Sequence, residues 1–110
     1  MSIEVTPTFT RKVRTLLKRY RSLRQDLQPI LDQLEQGERP GDLLQGLSLN
    51  VFKVRIKNSD IGKGKSAGYR LIYYAELAGR IVLLTIYSKS DRTDISSQEI
   101  LEILREFDSP

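Results

Sequence analysis

Apolar positions change their period along this chain, and each change predicts an element. Residues 2–6 alternate, with Ile3 and Val5 on one side, which predicts a short edge strand ending at Pro7. From Phe9 the spacing becomes helical. Phe9, Val13, Leu16, Leu17 and Tyr20 form one stripe, and Leu23, Leu27, Ile30, Leu31 and Leu34 form a second that stops at Gly37, a suitable helix terminator. Pro29 lies inside the second stripe, so regular helix is expected to begin near Ser22 or Asp26, with the proline in an early turn or at a kink. The pair reads as an αα-hairpin. Residues 37–50, with three glycines and a proline, predict a loop.

Beyond the loop the period is two. Phe52, Val54 and Ile56 alternate with Lys53, Arg55 and Lys57, a half-buried strand whose other face is a row of cations. A Gly, Ser and Lys loop over residues 58–68 precedes two β-prone runs, 69–76 and 80–88, joined at Ala78-Gly79 as a hairpin. Ile100, Leu101, Ile103, Leu104 and Phe107 predict a final helix over residues 96–107. Ser96 stands at its N-cap and Glu99 at N3, a capping box. The order β-α-α-β-β-β-α, with helices early and strands late, is an α+β pattern. The helical hairpin is expected to cover one face of a small, largely antiparallel sheet and to leave the other face free. The whole of residues 1–110 reads as a single domain.

Composition narrows the chemistry. The chain has no histidine, cysteine or tryptophan. That removes disulfides, thiolate zinc sites, cysteine nucleophiles and the commonest general base and metal ligand, so no metal or other cofactor is expected. Any catalysis falls to Lys, Arg, Tyr and carboxylates. A basic leader with an apolar core is not seen at the N-terminus, and the longest apolar run, residues 81–86, is far short of the ~20 residues of a membrane span. A cytoplasmic protein without membrane contact is expected. The net charge of +4 conceals segregation: residues 8–24 carry seven cations and no acid, residues 51–92 carry a net +6, and residues 25–50 and 93–110 carry −4 each. Basic blocks of this kind suit polyanions.

Three features could carry chemistry. The run Gly62-Lys63-Gly64-Lys65-Ser66 looks like the end of a nucleotide-binding P-loop, but its first glycine position holds Ser59 and a strand follows where a helix is required. Nucleotide binding is rejected. The loop's two lysines and its glycines can still approach a phosphate. Lys53, Arg55 and Lys57 read equally as a solvated face that keeps a sheet edge soluble. Arg70 shares the parity of Ile72 and Tyr74, and a guanidinium in a buried hairpin needs either a carboxylate, with Asp60, Glu76 and Asp91 as candidates, or an anion to bind. Tyr87 and Lys89 share a parity at the end of the last strand.

These features follow one another in an order that resembles the RelE/HigB toxins of bacterial toxin–antitoxin pairs. The likeness covers nearly the whole chain and is most specific in FKVRIK, GKGKSAGYRLIYY and LLTIYSKSD. It implies a RelE-like fold, a cognate antitoxin as partner, and a ribosome-dependent endoribonuclease that cuts mRNA in the ribosomal A site. A related ParE branch that poisons gyrase, and a catalytically inactive RNA-binding domain, are the alternatives it leaves open. Carried over by position, the resemblance puts Arg70 and Lys65 on the scissile phosphate and Lys89 or Lys63 in proton transfer. Tyr87 would stack a base or orient the 2′-OH, and Lys53, Arg55 and Lys57 would follow the RNA backbone. The family's tyrosine in the C-terminal helix has no counterpart, so Tyr87 and Lys89 are the residues left to fill that end of the site. The exposed basic helix positions Arg11, Arg14, Lys18 and Arg21 are expected either to add ribosome contacts or to serve as a solvated face.

Overall fold

The computed structural model describes residues 2–61, 64 and 67–108. Its elements are β1 (Ile3–Val5), α1 (Pro7–Leu17), α2 (Leu23–Glu35), β2 (Asp42–Leu43), β3 (Val51–Ile56), β4 (Tyr69–Ala75), β5 (Ile81–Ser88) and α3 (Ser97–Asp108). The strands form one sheet in the order β1-β5-β4-β3-β2. Neighbours run antiparallel except β1, which lies parallel to β5 at the sheet's edge. The fold is therefore the expected α+β arrangement of helices on a largely antiparallel sheet.

Three details depart from the pattern-based reading. Asp42 and Leu43, expected in a loop, pair with Lys53 and Phe52 as a two-residue edge strand. Gly41, with a φ of 93°, makes the turn into it, and a Cβ there would meet the Lys53 carbonyl oxygen at 2.5 Å. Helix α2 starts at Leu23 beside Ser22, one of the two starts expected, and carries Pro29 within it. The missing N–H falls on an exposed stretch of the helix, where water can take up the Gln25 carbonyl. At its other end α2 closes as foreseen at Gly37, with the Glu38 amide donating to Gln33 and the Gly37 amide to Leu34.

The largest departure concerns the sheet face expected to be free. Both faces are covered. On one, α1 and α2 place Phe9, Leu16, Leu23, Leu27 and Leu34 against Val54, Leu71, Tyr73, Leu83 and Ile86. On the other, α3 sets Ile100, Ile103 and Leu104 against Val51, Ile72, Val82, Leu84 and Tyr87. Every residue of β5 is buried, which fits its unbroken apolar run better than an alternating strand. Among the predicted stripe residues of α3, Leu101 faces solvent.

Thr6 fastens the N-terminal segment to β5. Its hydroxyl accepts from the Phe9 amide at 2.9 Å, capping α1 ahead of Pro7 at N1, and donates to the Leu84 carbonyl at 2.7 Å. Thr6→Ala removes a cap and orphans a buried carbonyl, so a loss of about 2–3 kcal/mol in urea unfolding is expected. A loss below about 0.5 kcal/mol would show that water or a shifted backbone replaces both bonds.

Candidate RNA-binding site on the cationic sheet face

Strand register brings the sequence-singled residues together. Arg55 of β3 stands directly opposite Arg70 of β4, and Arg70 directly opposite Tyr87 of β5. Residues facing one another across strands share a sheet face. The three are thus one row, on the face that carries α3. Lys53 precedes Arg55 at the same parity within β3, and Lys57 follows just past its end. Arg55 and Lys57 are exposed, and Lys53 is half-buried.

Arg70 is the unusual member, only 6% exposed. Burial, and next the charge of Arg55, push its pKa below the ordinary arginine value, while Tyr87 acts in the opposite sense. Its guanidinium donates to the Tyr69 carbonyl at 3.1 Å. The carboxylates considered as its partners are engaged elsewhere: Asp60 accepts from Ser22, Glu76 pairs with Arg80 and Asp91 with Arg19. Two arginines opposed across a strand pair destabilise each other, and a bound anion relieves that repulsion.

The approach to the row is held by the α2 N-terminus. Asp60 accepts from the amide and hydroxyl of Ser22, while Asp26 accepts from the amide and hydroxyl of Ser59. This reciprocal pair of contacts pins the chain leaving β3. Lys63 and Lys65, in the loop that follows, lie outside the described residues. At the far side Gly68 is packed against the end of β3 and its carbonyl accepts from the Lys89 amide at 2.9 Å. Lys89 itself is half-buried and donates from Nζ to the Thr93 carbonyl at 2.9 Å, folding back on its own loop.

Tyr87 is 6% exposed, and its buried hydroxyl has no hydrogen-bond partner among the described residues. Burial raises its pKa above the usual tyrosine value; Asp94 and Glu99 act in the same direction, and Arg70 and Arg92 oppose them.

Three residues at the site escaped the sequence reading. Asp94 pairs with Lys53 at 3.2 Å, and its pKa is held low by the Ile95 amide and then by Lys53. Arg92 lies over the Tyr87 ring, 5.4 Å from its centroid, and meets Glu99 through two parallel bonds of 2.8 and 3.1 Å. Ser96 caps α3 through the Glu99 amide, as the capping box predicts, but the Glu99 carboxylate turns to Arg92 instead of reciprocating. Only the seven-residue spacing of Arg92 and Glu99 across a helix start could have signalled the pair.

The row can bind a phosphate backbone and place cations where negative charge develops. Among the described residues no three His, Cys, Asp or Glu side chains come together as a metal site, and no helix is long and apolar enough to cross a membrane. A protein-family model described as "RelE toxin of RelE / RelB toxin-antitoxin system" matches residues 7–107, nearly the whole chain.

Proposed function

The chain belongs to the RelE toxin family, and on that premise we propose that it is the toxin of a toxin–antitoxin pair that acts as a ribosome-dependent endoribonuclease in the cytoplasm. Its substrate is mRNA in the ribosomal A site, and its partner in the resting cell is a cognate antitoxin. The observation that carries this reading is the buried Arg70 set opposite Arg55 and beside Tyr87. An arrangement that costs the fold stability is retained where an anion must be gripped.

Cleavage proceeds by attack of an RNA 2′-oxygen on the adjacent phosphorus. The 2′-OH proton passes to an acceptor, the bond from phosphorus to the 5′-oxygen breaks, and that oxygen takes up a proton. The products are a 2′,3′-cyclic phosphate and a 5′-hydroxyl. Arg70 and Lys65 hold the scissile phosphate and stabilise the charge that grows on its oxygens, the contribution that is usually largest. Lys89 or Lys63 moves the proton. Tyr87 orients the 2′-OH or stacks on a base, and Lys53, Arg55 and Lys57 follow the backbone. This chemistry needs no metal.

Induction in cells, followed by primer extension on a translated reporter message, tests the reading. New 5′ ends inside codons, absent when the start codon is removed, are the expected result. Intact message with gyrase trapped on DNA would replace the nuclease by a gyrase-directed toxin, and RNA binding without new ends would leave an inactive domain.

A further inference from the structure

We propose that Arg92 is the positioning residue for Tyr87, with Glu99 locking the guanidinium so that the ring is presented to RNA lying along the Arg55–Arg70 row. The cleavage arm of this inference rests on the nuclease reading above; the structural arm does not.

Arg92 is held on three sides. Two of its nitrogens meet the Glu99 carboxylate, and Nε donates to the Asp94 carbonyl at 2.9 Å. A guanidinium fixed by a bidentate carboxylate has little freedom left, and its central carbon is held over the Tyr87 ring. Glu99 is in turn set by the first turn of α3, where Ser96 binds its amide. Helix position therefore reaches Tyr87 through the Glu99–Arg92 pair as well as through the apolar packing of α3. The charged groups acting on Tyr87 are Arg70 from β4, Arg92 and Asp94 from the segment after β5, and Glu99 from α3. Buried hydroxyls ordinarily find a partner. Among the described residues this one has none, and its ring lies between Arg70 across the strand pair and Arg92.

The test uses the full chain with its five tyrosines labelled at the ring carbon that bears oxygen, the Tyr87 resonance being assigned by its loss in Tyr87→Phe. Arg92→Gln is expected to shift that resonance, to move the onset of its high-pH titration upward through loss of a cation, and to slow cleavage of translated message at least tenfold, in the range a misplaced group costs. Glu99→Gln removes an anion, so the onset should move downward. Cleavage should nonetheless fall, because the fork no longer holds Arg92. Opposite shifts in titration with the same loss of cleavage separate positioning from charge alone. Arg92→Lys, which keeps the cation without the fork, should restore the titration and only part of the cleavage.

A Tyr87 resonance and titration unmoved by Arg92→Gln would overturn the proposal. So would a moved resonance with cleavage at the parent rate. Should the parent itself cut no message, the nuclease reading fails, while the resonance still decides whether Arg92 sets Tyr87.

Discussion

Arg70→Met is expected to reduce cleavage of translated mRNA by about 10²–10³-fold, the usual cost of removing one preorganised charge-stabilising donor, while unfolding stability changes by no more than about 1 kcal/mol. Methionine keeps the aliphatic stem that packs in the sheet. It removes a charge that burial and Arg55 both disfavour, and apolar side chains commonly replace buried charges at little cost to the fold. Arg70→Lys should recover only a fraction of the rate, since a point charge cannot grip two phosphate oxygens in parallel. Primer extension and urea unfolding on the same preparations check both halves. If the variant remained as toxic as the parent, Arg70 would lose its place on the scissile phosphate. If cleavage were lost only in step with unfolding, Arg70 would be a structural residue.

Gly68→Ala is expected to do the reverse and unfold the site. A Cβ at this position would stand 2.0 Å from the Ile56 carbonyl oxygen and 2.9 Å from the Asn58 nitrogen, both backbone atoms that no side-chain rotation can move aside. The strands must separate where Ile56 faces Tyr69, one step from the Arg55–Arg70 pair. The Gly68 carbonyl also receives the Lys89 amide, so the end of β5 is drawn into the same disturbance. Overpacking of this kind costs about 3 kcal/mol, which for a domain of this size lowers Tm by more than 10 °C. Thermal unfolding by circular dichroism measures it. A variant as stable as the parent would mean that the loop from 61 to 68 can withdraw without cost.

The two substitutions stand two residues apart, and the contrast between them matches what could be read from the sequence. Lys53, Arg55 and Arg70 were legible because alternation assigns a strand residue to a face, and Tyr87 because it ends the last strand. Pairing of Arg55 with Arg70 and of Arg70 with Tyr87 was not, since register depends on where Gly68 lets β4 approach β3 and on the irregularity between Ile72 and Tyr73. The expectation of a free sheet face failed because Ile72, Val82 and Leu84 were read strand by strand. Together with the apolar stripe of α3 they describe a second covered layer. Thr6 and Asp94 act through long-range contacts to Leu84 and Lys53, and Arg92 through side-chain contacts around a loop; neither leaves a periodic trace in a chain.

The parallel pairing of β1 with β5 also sets the timing of folding during synthesis. Thr6 and the Leu84 carbonyl it binds are 78 residues apart, so at about 5–20 residues per second the first strand waits roughly 4–16 s for its partner to be translated. Arg70 and Tyr87 cannot face each other before β5 exists, and non-local closures of this length form late. A nascent chain therefore cannot assemble the Arg55–Arg70–Tyr87 row until almost all of its codons have been read.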